Sequence, residues 1–99
     1  MAKLGIMLTS GVESEDARTV RKITESALRL GHEVSLFLMD DGIYNLSSLQ
    51  DLTKQGVQLT VCGHNAYERE VEKITGVLFG SQHDWAMTVH NSDRVIVFG

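Results

Sequence analysis

Proline is absent from the 99 residues, and cysteine occurs only once, as Cys62. Without proline, chain reversals fall to the nine glycines. A single cysteine cannot close an internal disulfide and leaves no second thiol to resolve a modified one, which fits a reducing compartment. Long apolar runs are missing too, and nothing approaches the roughly 20 residues that cross a bilayer. The N-terminus offers one lysine and a short apolar run over residues 4–8. That run is too short for a signal core, and no small-residue cleavage pattern follows. A basic stripe is also lacking: nine basic residues lie scattered among thirteen acidic ones, for a net charge of −4. Nucleic acid and anionic membrane are therefore not expected as partners. Together these absences lead to the expectation of a cytoplasmic protein.

What is present is an alternation of apolar runs and amphipathic stretches. Residues 3–10 read as a buried strand, with Leu4, Ile6, Met7 and Leu8 as its body and Gly11 at the turn. Residues 14–30 read as a helix. Ser14, Glu15 and Asp16 suit its start, where acids meet the positive end of the dipole. Ala17, Val20, Ile23, Ala27 and Leu30 then share one face, and Gly31 is the stop. Residues 33–39 form a second strand ending at Asp40-Asp41-Gly42. A short helix over residues 47–55 carries Leu49 and Leu52 and closes at Gly56. Residues 57–62 form a third strand, and 65–75 a helix followed by Gly76. Residues 77–79 fit either a short strand or a helix approach. Ser81-Gln82-His83-Asp84 has the hydroxyl-to-acid spacing of a capping box, opening a helix that runs to Asn91. Residues 94–98 are the last strand.

Strands joined through helices imply a single α/β domain. The expected architecture is a mostly parallel sheet of four to five strands with helices on both faces, in a flavodoxin-like arrangement. Chemistry in such sheets sits beyond the carboxyl ends of the strands. That rule selects Ser10 and Gly11, Asp41 and Gly42 with Asp40, and the run Cys62-Gly63-His64-Asn65. A thiol at a strand-to-helix junction sees free backbone N–H groups and the positive end of a helix dipole, which favour thiolate. Gly63 permits a tight turn there, Asn65 is a candidate cap, and Arg69 is placed to bring positive charge back toward the thiol. His64 is a candidate base, although neighbours on one loop seldom reach the needed geometry. Cys62 equally fits a small buried apolar residue. Cys62 and His64 make only two ligands where zinc takes three or four, so no metal is expected. Asp40 and Asp41 suggest a phospho-acceptor with magnesium only weakly, because the first strand ends in Thr9-Ser10-Gly11 without an acid pair and Gly99 rather than lysine follows the last. Trp85, with Phe79 and Met87 nearby, is assigned to packing.

Cys62-Gly63-His64-Asn65-Ala66-Tyr67-Glu68-Arg69 resembles the cysteine–glycine–x–small/polar–alanine–x–x–arginine stretch of the DsrE-like family, which includes TusD-type sulfur-relay subunits and YchN-like proteins. Residues 31–34, 36–38 and 41–44 resemble that family's second strand and following loop. Residues 15–30 resemble its first helix and 92–98 its closing strand, so the likeness covers nearly the whole chain. Glu70 stands where the family commonly has glycine. The resemblance implies a DsrE-like domain over residues 1–99. It also implies a sulfur carrier or sulfurtransferase subunit that takes sulfane sulfur as a persulfide on Cys62 and hands it to a partner protein, without a cofactor. The partners it implies are a sulfur donor, an acceptor, and further subunits in a trimer or hexamer of this chain or in a hetero-oligomer of similar chains. A binding module of the same family, with an inert Cys62, is the other outcome.

Overall fold

A computed structural model describes residues 1–99. The strands are β1 (Lys3–Leu8), β2 (Glu33–Leu38), β3 (Gln58–Cys62), β4 (Leu78–Gly80) and β5 (Arg94–Phe98). They form one sheet in the order β4-β3-β2-β1-β5, with every pairing parallel. The connections hold helices α1 (Asp16–Arg29), α2 (Leu46–Leu49), α3 (Gly63–Glu68) and α4 (Gln82–Asn91), and 3-10 turns flank α2 over Asp40–Asn45 and Gln50–Gln55. The ambiguous run at residues 77–79 thus yields the edge strand β4. The short helix expected over 47–55 is part of a longer helical passage from Asp40 to Gln55.

Because strand side chains alternate, and parallel neighbours in register share a face, the sheet has two distinct sides. One side carries Ile6 and Leu8, Leu36 and Leu38, and Leu59 and Val61, all buried. It is covered by Val20 and Ala27 of α1 and by Ile43, Leu46, Leu49 and Leu52 of the helical passage, within one core cluster. Arg21 of α1 ties these two coverings together by donating to the Asp51 carboxylate and to the Ser48 carbonyl. That hydrogen bond, more than the Coulomb attraction of the same partner, holds the Asp51 carboxyl below the usual aspartate range. The other side carries Lys3, Gly5 and Met7, then Glu33, Ser35 and Phe37, then Gln58, Thr60 and Cys62, then Leu78 and Gly80. Its cover is α4: a Cβ on Gly5 would meet Ser92 Oγ and Thr88 Cγ2 at the end of that helix. No residue of α4 is buried. Trp85 rests on Phe37 with ring centroids 5.7 Å apart. Beside this contact a polar groove of about 330 Å³ runs between the helix and Lys3, Ser35, Gln58 and Thr60.

Three helical segments end alike. At Gly31 (φ +85°) and Gly56 (φ +91°) the chain turns through the left-handed region that glycine favours. The amides at and after each turn donate to carbonyls of the final helical turn: Gly31 to Leu28 and His32 to Ala27, Gly56 to Thr53 and Val57 to Leu52. The third such ending is at Glu70 (φ +55°), where Glu70 donates to Tyr67 and Val71 to Ala66. The helix expected over residues 65–75 therefore spans only Gly63–Glu68, and Gly76 is not its stop. Leu30, expected on the buried face of the first helix, is 74% exposed, because α1 ends at Arg29 and the chain is already turning.

Candidate functional site

At the carboxyl end of the sheet, β2, β3 and β4 lie side by side. Cys62 pairs with Gly80 in the ladder, and Met39 follows directly on Leu38, the partner of Val61. Met39, Cys62 and Gly80 thus form one row on the side covered by α4. They line a cleft of about 610 Å³ with Asp40, His64, Asn65, Ser81, Gln82 and His83. Within it Cys62 is a free thiol, 7% exposed.

Each wall of the cleft has a local cause. Cys62 itself is the N-cap of α3, in extended backbone (φ −69°, ψ +111°), and its sulfur caps nothing. Asn65, expected as the cap, lies inside the first turn instead. There its Oδ1 accepts from the Asp40 amide at 2.9 Å. This bond holds the end of β2 against α3, and it coincides with a left-handed Asp40 (φ +50°). Gly63 serves close approach rather than a left-handed turn: a Cβ there would stand 3.2 Å from the Gly80 carbonyl oxygen. The far wall is the start of α4, where Ser81 Oγ accepts from the His83 amide and Asp84 Oδ2 accepts from the Ser81 amide at 2.8 Å. The capping box read from the sequence is therefore formed, and it delivers Ser81, Gln82 and His83 to the cleft. Gly80 leaves room for that turn, since a Cβ there would collide with the Asp84 carboxylate.

Arg69 does not bring its charge to the thiol. Its Nε donates to Asp41 Oδ1 at 3.1 Å and its guanidinium lies 3.8 Å from Glu68, so two carboxylates engage it. His64 is directed to Glu68, 3.4 Å away, with an exposed side chain. Ser10 and Gly11 stand apart from the cleft. Ser10 Oγ donates to Asp16, its carbonyl accepts from buried Asn45 at 2.8 Å, and Gly11 is buried. Gly42 is a packing requirement, because a Cβ there would run into the Leu8 carbonyl. Of the strand-end residues picked from the sequence, the structure thus gathers Asp40, Cys62, His64 and Asn65 in one cleft. Gly63, Arg69 and Asp41 brace it, while Ser10, Gly11 and Gly42 shape the neighbouring strand ends. Met39, Ser81, Gln82 and His83 were missed. The available signal was the capping box, which placed a helix start directly after what proved to be strand β4. No three His, Cys, Asp or Glu side chains converge anywhere to hold a metal ion, and no helix is long and apolar enough to cross a membrane.

Comparison with known proteins places the chain. The crystal structure of the YchN protein from E. coli superimposes with a TM-score of 0.82 over 99% of this chain and 100% of that one, at 22% identity, a likeness of fold. An uncharacterized protein of Methanopyrus kandleri is 31% identical, covering 85% of this chain and 83% of its own. The model of the DsrE/DsrF-like family matches residues 2–98. With an all-parallel five-stranded sheet and sequence agreement from end to end, this chain belongs to the DsrE/DsrF-like family.

Proposed function

We propose that the chain is a sulfur carrier or sulfurtransferase subunit of a sulfur relay, with Cys62 as its acceptor. The single observation that carries this reading is the position of the only thiol, at the carboxyl end of a central strand and in an open cleft. Family membership supports it, since the family includes sulfur-relay subunits. The Cys62 thiolate attacks the outer sulfur of a donor persulfide, R–S–SH. A new S–S bond forms to Cys62, the donor's S–S bond breaks, and the donor leaves as R–S⁻. An acceptor thiolate then repeats the exchange on the Cys62 persulfide. No electrons are gained or lost overall. With no second cysteine in the chain, the acceptor is another protein or a small thiol. Similar subunits, as a trimer or hexamer of this chain or with related chains, are the partners this reading expects. Exposed Val95 and Val97 on edge strand β5 offer apolar surface for them.

The 7% exposure of Cys62 favours a second reading, a binding module in which the thiol is a packed side chain and the cleft holds a small ligand. One experiment separates the two. The reduced protein is incubated with a persulfide donor and weighed intact, with Cys62→Ser as control. The carrier reading expects a single added sulfur, in the wild type alone and removed by reductant. An unmodified wild-type protein, with donor consumed by a control thiol in the same vessel, rules the carrier out.

A further inference from the structure

Strand order gives one contact in the cleft a specific consequence. Gln82 follows β4 and Met39 follows β2, while β3, which ends in Cys62, lies between them. The Gln82 amide Nε2 donates to Met39 Sδ at 3.5 Å. A link from the chain beyond β4 to the chain beyond β2 must pass across the end of β3. Met39, Cys62 and Gly80 share one row and one face, so the link lies on the same side of the sheet as the thiol. Gly80 has no side chain to contribute, and Gln82, bonded to Met39 across the strand end, is the side chain placed to cover that flank. A cover there fits a cysteine that lines an open cleft of about 610 Å³ yet is only 7% exposed.

We infer that the Gln82–Met39 bridge is the specificity-determining element of the site, admitting small thiol reagents and donors to Cys62 and excluding bulky ones until it opens. The inference rests on Cys62 being the reacting group but not on the identity of the donor. The bridge is built to open at low cost. It is one amide-to-thioether hydrogen bond between partly or fully exposed side chains, a weak pairing. It hangs on α4, whose residues are all at least partly exposed and whose main apolar anchor is Trp85 on Phe37. The capping box holds the backbone of the turn independently of the Gln82 side chain. The side chain can therefore swing away while the helix start stays in place.

The test measures alkylation rates of Cys62 with a small reagent, iodoacetamide, and a bulky one, a maleimide carrying a rigid polycyclic dye. Wild type, Gln82→Ala and Met39→Leu are compared; the last keeps the apolar volume and removes the sulfur acceptor. Gln82 is exposed and outside the capping box, so Gln82→Ala keeps the fold, checked by an unchanged thermal midpoint. The bulky-to-small rate ratio is expected to rise in both variants by about threefold or more, the size of losing one weak hydrogen bond. An unchanged ratio in both variants, or a thiol that stays closed to both reagents in Gln82→Ala, overturns the inference. Sulfur loading from a persulfide donor is scored separately. A raised ratio without loading keeps the gate and removes the carrier, and loading with an unchanged ratio does the reverse.

Discussion

The two sides of the sheet are built to different standards. On the side of α1, Ile6, Leu36, Leu38, Leu59 and Val61 are all buried beneath two helical layers. On the side of α4, Lys3, Glu33, Ser35, Gln58 and Thr60 face a polar groove, and a single helix lies over them without one buried residue. The candidate thiol belongs to the second side. Apolar burial at about 25 cal/mol per Å² supplies the fold on one face. The other face buries Met7 and Phe37 but is otherwise left to polar groups, open space and a candidate reactive side chain. Stability and access are separated across the thickness of one sheet.

If this contrast is right, truncations should cost unequal amounts. Leu36→Ala, on the packed side, is expected to destabilise the protein by about 3 kcal/mol in denaturant unfolding, and Met87→Ala on α4 by well under about 1 kcal/mol. Equal losses would dissolve the distinction. A smaller effect comes from strain next to the cleft. Glu70 occupies a left-handed conformation that costs an L-residue roughly 1 kcal/mol. Glu70→Gly should therefore raise stability by about 0.5–1 kcal/mol, less whatever the looser unfolded chain returns. A fall in thermal midpoint would show that the Glu70 side chain makes a contribution outweighing the strain. The smallest effect sharpens the view of the packed side. The depressed Asp51 carboxyl binds its proton less readily when folded than when unfolded, so the Arg21 pairing stabilises above the unfolded aspartate pKa and is lost as pH falls through the lower, folded one. The difference in stability between wild type and Asp51→Asn should be below about 1 kcal/mol at neutral pH, as for an exposed pair, and vanish in acid. A gap that persists in acid would assign the effect to packing instead.

Much of this was legible beforehand, and the failures have definite causes. β1, β2, β3 and β5 announced themselves because a strand covered on one or both faces needs consecutive branched or large apolar residues. α1 and α4 announced themselves through the spacing of Val20, Ile23 and Ala27 and through the Ser81–Asp84 box. Gly31 and Gly56 read correctly as stops because the left-handed turn favours glycine. The same turn at Glu70 was invisible, since no propensity rule places glutamate there, and α3 was read several residues too long. Leu30 was assigned to the core by period alone, one residue past the point where the helix stops. At the site, position on the sheet was readable but side-chain direction was not. Arg69 was correctly placed near the cleft, but its partner is Asp41, from a different strand end. Met39 was hidden inside a run of strand-forming residues, and nothing in its local sequence announces that it neighbours Cys62.

The strand order also dictates a sequence of events. Three of the four strand pairings join strands consecutive in the chain. The fourth, β1 with β5, brings together residues as distant as Lys3 and Asp93, 90 positions apart, where the amide of one donates to the carboxylate of the other at 2.7 Å. Loop-closure entropy makes that pairing the costliest to nucleate. Met39, Cys62 and Gly80 all lie within the cheaper part, so the cleft is assembled from a half of the sheet that needs no help from the last strand. Until β5 arrives, one edge of β1 stays unpaired, and the folding chain's exposure to misassociation is concentrated there, at the opposite side of the sheet from its thiol.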